Sequence, residues 1–63
     1  MKLIISLDIE KHFNYYNQYS YEIKPELINW LNENNINYYI DSLIKYIELY
    51  NKSDAIKFKL TWL

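Results

Sequence analysis

The stretch "NKSDAIKFKLTWL", Asn51 to Leu63, decides the fold because it satisfies two incompatible periodicities at once. Ile56, Phe58, Leu60 and Trp62 alternate with Lys57, Lys59 and Thr61, the period of a half-buried strand. The preceding residues, Asn51-Lys52-Ser53-Asp54, offer helix caps, and Ala55, Phe58 and Trp62 fall near one helical face. Periodicity alone favours the strand.

The ambiguity extends one segment upstream. Ile36 to Ile40 is β-rich, Asp41-Ser42 is a turn signal, and Leu43 to Tyr50 is a second β-compatible run, so a hairpin is the simplest reading. Leu43, Tyr46, Ile47 and Tyr50 also satisfy i, i+3, i+4, i+7, which leaves a helix over 41–51 as the alternative, paired with a strand over 55–62.

A resemblance bears on this choice. Over residues 44–62 the chain resembles the C-terminal end of small, mostly uncharacterised phage-encoded proteins, in which a strand and short acidic turn lead into a D-A-x-x-F-K-L-x-W segment. Asp54, Ala55, Phe58, Lys59, Leu60 and Trp62 carry the match, while Lys52 and Ser53 stand where the pattern has acidic residues. The resemblance implies a helix after the last strand, a β-α-β-β-α order and a phage source. It implies no activity; such accessory proteins commonly modify host machinery or counter host defence in the host cytoplasm.

Elsewhere the signals are simpler. Leu3, Ile5, Leu7 and Ile9 alternate with Lys2, Ser6, Asp8 and Glu10, which predicts a half-buried strand over 2–10, with Ile4 on the polar side marking either partial cover there or an edge. Pro25 suits the first helical position, Ile23 and Ile28 stand at the spacing of a hydrophobic staple, and Glu26 lies in the first turn. Leu27, Ile28 and Leu31 form a buried stripe flanked by Trp30, and Asn34-Asn35 supply the stop, giving a helix over 25–34. The chain therefore reads as a single α+β domain over 1–63, in β-α-β-β-α order.

Composition narrows the function classes. A chain of 63 residues closes one core and buries roughly 60 % of its unfolded surface. It has no cysteine, hence neither disulfide nor thiolate metal site. Its apolar share of 51 % is far from the signature of disorder. The longest apolar run, Leu3-Ile4-Ile5, falls far short of a membrane span, and Asp8 interrupts any signal-like segment, which points to the cytoplasm. Asn, Ile, Lys and Tyr, all with AT-rich codons, supply 33 of 63 residues. Glycine and arginine are absent, so phosphate-cradling glycine loops are excluded and positive-φ positions are expected at Asn or Asp.

Little here can do bond chemistry. With the first strand continued, Ser6, Asp8, Glu10 and His12 share a face, but they would span about 20 Å and diverge, so a solvated face is expected and no metal or cofactor. Ser6, Ser20, Ser42 and Ser53 lack a second histidine or a glycine-shaped elbow, so the chain is read as non-enzymatic.

The aromatic residues are the informative excess. "FNYYNQYSYEI", Phe13 to Ile23, holds four tyrosines and a phenylalanine with one charge. It reads as an extended segment that carries the chain from the first strand to Pro25, with Tyr19 and Tyr21 turned inward and Tyr15 and Tyr16 at its tip. Tyr38, Tyr46 and Tyr50 are the expected core tyrosines. Phe13, Tyr15, Tyr16, Tyr19 and Tyr21 form the expected partner-binding surface, since tyrosine brings apolar area and a polar tip at little entropic cost. The partner is expected to be a protein, either a host protein or the chain itself. Two alternatives are a small homo-oligomeric structural protein and stacking of single-stranded nucleic acid on a sheet bearing Tyr38, Tyr39, Tyr46 and Tyr50. A net charge of −1 without arginine argues against nucleic acid.

Overall fold

In the computed structural model the tail is a helix, and the reason lies at its first residue. Asn51 holds an extended backbone and its Oδ1 accepts from the Asp54 N–H at 2.8 Å, satisfying one of the four amide groups a helix start leaves free. The structure describes residues 2–17 and 20–63, with the side chains of Tyr16 and Asn17 excepted. The element order is β1 Leu3–Ser6, α1 Ile9–His12, β2 Phe13–Asn17, β3 Ser20–Ile23, α2 Pro25–Glu33, β4 Tyr38–Asp41, β5 Tyr46–Leu49 and α3 Lys52–Trp62. The fold is α+β: the expected β-α-β-β-α order, with a short helix and a hairpin inserted after the first strand.

The strand-like alternation of the tail is the sum of two helical stripes. At 100° per residue, Ala55, Phe58 and Trp62 fall within roughly 60° of arc, and Ile56, Leu60 and Leu63 occupy a similar arc about 130° away. The first stripe packs inward, with Phe58 fully buried; the second is exposed at 50 %, 83 % and 56 %. Taking alternate residues from opposite stripes reproduces period two, which is why the strand over 55–62 and its companion helix over 41–51 are both overturned.

α2 follows its sequence signals closely. Pro25 stands in the first turn, Ile23 and Ile28 pack against the core, and Leu27 and Leu31 are fully buried. At its end Asn35 adopts φ 54°, the Asn35 N–H donates to the Asn32 carbonyl, and the Ile36 N–H donates to the Leu31 carbonyl. This pattern closes the last turn and sends Ile36 into the core.

β5 is the centre of a three-stranded antiparallel sheet in the order β1-β5-β4. Leu3, Leu49 and Tyr38 lie in one cross-strand row and Ile5, Ile47 and Ile40 in another, and both rows face α2 and α3. The turn between β4 and β5 is longer than expected. Asp41 Oδ1 accepts from the Leu43 and Ile44 N–H groups, which holds these two apolar residues out of the strand and in solvent. Lys45 closes the turn at φ 59°, so a positive φ falls on lysine as well as asparagine. It is held there by its carbonyl, which accepts from the Leu7 N–H at 2.9 Å, and its ammonium lies 5.9 Å from the Phe13 ring centroid.

The first strand ends at Ser6, not Glu10. Asp8 Oδ1 accepts from the Glu10 and Lys11 N–H groups and starts α1, a competing local use of the backbone that alternation does not report. Ile9 accordingly turns to solvent.

Two substitutions separate the helical stripes of α3. Phe58→Ala should cost about 3–5 kcal/mol, enough to abolish a cooperative urea transition in so small a domain. Leu60→Ala, measured in dilute protein, should stay within about 0.5 kcal/mol of the parent.

Candidate interaction surface

The β2–β3 hairpin divides the expected surface. Phe13 lies opposite Ile23 at its root and is only 4 % exposed, packed in the core, so it does not join a binding surface. Tyr15 and Tyr21 face each other one pleat further out, their rings edge-to-face with centroids 5.6 Å apart. Both are exposed, so Tyr21 does not pack inward: opposed residues share a face, and this face leaves the core between residues 13 and 15. The register slips between Tyr15 and Asn17, where Tyr16 stands. Tyr19 and the side chain of Tyr16 lie outside the described residues.

A second aromatic surface emerges from the three-stranded sheet. The rows Ile4, Glu48, Tyr39 and Ser6, Tyr46, Asp41 point away from the helices, and no element among the described residues covers them. Tyr39 and Tyr46 lie with ring centroids 6.3 Å apart, and the Tyr50 hydroxyl donates to Glu48 Oε2 at 3.3 Å. Of the expected core tyrosines only Tyr38 packs against the core; Tyr46 is half-buried on the outer face and Tyr50 is exposed. The signal was available in Tyr46-Ile47-Glu48-Leu49-Tyr50, where the aliphatic residues take one parity and the tyrosines the other.

Burial among its neighbours, then the Glu48 and Asp41 carboxylates, pushes the Tyr46 phenol up. Burial, then the hydrogen bond to Glu48, does the same for Tyr50. Glu48 thus sits inside the aromatic patch and is felt by both rings, and Asp41 is felt by Tyr46.

The histidine face expected on an extended first strand does not form. His12 is fully buried, and its Nδ1 accepts from the Asp8 N–H at 2.8 Å. An amide N–H only donates, so the proton resides on Nε2, which donates to the Trp62 carbonyl at 2.9 Å. Both ring nitrogens are occupied, leaving none for a metal or a substrate. Asp8 caps α1 instead, and the amides of Lys11 and then Glu10 hold its carboxyl below the usual value. That contribution to stability is present above the ordinary aspartate pKa and is lost as pH falls through the lowered one. Among the described residues no three His, Asp or Glu side chains converge. A shallow opening of about 370 Å³ is lined by Ser20, Tyr21, Ser42, Leu43 and Lys45, without an acid–base pair. Among the described residues no helix is long and apolar enough to cross a membrane.

No protein-family model, curated protein or solved structure matches the chain.

Two measurements follow from these contacts. His12→Phe keeps a ring in the core but strands the Asp8 amide and the Trp62 carbonyl; the urea midpoint should fall by the equivalent of about 1–3 kcal/mol at constant slope. In an alkaline absorbance titration, Tyr46 and Tyr50 should ionise later than the ordinary tyrosine value. Because their folded pKa values are raised, the associated stability is full below the unfolded value and declines as pH rises through the folded ones. Glu48→Gln should bring both tyrosines back toward the ordinary value.

Proposed function

We propose that the chain is a small non-enzymatic protein-binding module whose contact surface is the open face of the β1-β5-β4 sheet. The supporting observation is the uncovered patch of Tyr39, Tyr46 and Tyr50 around Glu48, with Ile4 beside it. Tyrosines ordered by strand pairing lose little entropy on binding and combine apolar area with a hydroxyl at the rim. The exposed Tyr15–Tyr21 pair on the hairpin is a second, smaller contact of the same character. An accessory role in a host cell agrees with the resemblance of residues 44–62 to phage-encoded proteins.

Base stacking is the competing use of such a face. Asp41 and Glu48 weigh against it, since they put negative charge where a nucleic-acid backbone would need cations.

A photoreactive phenylalanine analogue in place of Tyr39 should give discrete protein adducts in a lysate of the natural host, and the same group in place of Glu10 should not. Adduct formation from both positions or neither would refute the surface. Oligonucleotides at about 50 mM salt should leave tyrosine and tryptophan fluorescence unchanged; salt-sensitive quenching would favour stacking.

A further inference from the structure

The protein-binding reading leaves the occupant of the sheet face unspecified. Resting on that reading, we propose that the occupant is helix α3 of a second copy of the chain, joined head to tail.

Each of these two surfaces carries what the other needs. The outer stripe of α3, Ile56, Leu60 and Leu63, is exposed and apolar. It is bordered by exposed Lys52, Lys57 and Lys59, and the one carboxylate on the helix, Asp54, accepts from Asn51 Nδ2 in the first turn. The sheet face is apolar and aromatic as well, but its charges are Asp41 and Glu48, with Lys2 just before β1.

Charge selects the pairing. α3 against α3 would bring lysines together, and sheet against sheet would bring carboxylates together. α3 against the sheet places Lys57 and Lys59 near Asp41 and Glu48 and stacks leucines on tyrosines. The mode repeats one already present, since α3 packs its other stripe on the inner face of β5. A second α3 would complete the sheet with a helix on each face.

The symmetry follows from placement. Within one molecule the α3 stripe points away from the sheet, and the tyrosine face lies on the sheet's far side. One partner cannot engage both, so the contact is heterologous and each pair of copies keeps one free surface of each kind. Two standard patches of about 800 Å² would occupy roughly a third of the 4554 Å² surface.

Sedimentation from about 1 μM to about 1 mM should show the mass rising past a dimer. Leu60→Glu blocks the helix surface and Tyr39→Lys blocks the sheet surface; each variant alone should be a monomer with the parent's circular dichroism. Mixed, they retain one good surface of each kind and should form a single 1:1 complex of twice the 7.8 kDa chain mass. In the parent, Glu48→Lys should weaken association at least tenfold, and adding Lys59→Glu should restore part of it. A monomeric parent, a Tyr39→Lys variant that still self-associates, or mixed variants that stay apart would each overturn the proposal. Should the parent be monomeric while Tyr39 crosslinks to a different protein, this pairing fails and the protein-binding reading survives; without adducts both fail.

Discussion

The hydrogen bond from His12 Nε2 to the Trp62 carbonyl joins positions 50 residues apart, and much of the fold is organised around it. It satisfies a carbonyl at the end of α3 that has no partner within the helix. The other ring nitrogen accepts the Asp8 amide, and the His12 carbonyl accepts from the Lys24 N–H at the entrance to α2. The imidazole also lies 6.3 Å from the Phe58 ring, which in turn meets Trp30, and Trp30 meets Trp62 edge-on. One buried polar residue thus sets the positions of three helices, and a buried polar group is tolerated because each of its nitrogens is matched.

This arrangement uses up the helices on one side of the sheet. α2 and α3 bury Ile5, Ile47 and Leu49 from above, and among the described residues no element lies over the face below. The outward residues of β5 and its neighbours therefore remain as the strand pleat leaves them: two tyrosines, an isoleucine, a serine and two carboxylates. The proposed binding surface follows from this one-sided coverage more than from any single side chain.

The sequence disclosed the parts governed by local rules. Pro25, the Ile23–Ile28 spacing and Asn34-Asn35 located α2 because staple, proline and stop act within a few residues. The β4–β5 hairpin was legible from β-rich runs around Asp41, although the Asp41 carboxylate holds Leu43 and Ile44 in the turn. The first strand was overextended because Ile9 preserves alternation while Asp8 has already begun a helix. His12 reads as a surface residue because its burial depends on Trp62 and Phe58, contacts across nearly the whole chain, and Phe13 because its burial depends on a core that no local pattern encodes. The tyrosines stand out in the composition as an excess, but a parity of one residue separates Tyr38 from Tyr39, and only strand register decides it.

The double striping of α3 has a consequence for the unfolded chain. Once the Asn51 cap is lost, Ile56 to Trp62 is an alternating apolar segment of the kind that stacks into cross-β ribbons. Its positions 57 and 59 are lysines, and in an extended chain they would line the opposite face as repelling like charges. The residues that colour the helix surface basic in the native protein thus also serve as gatekeepers against fibrillar aggregation.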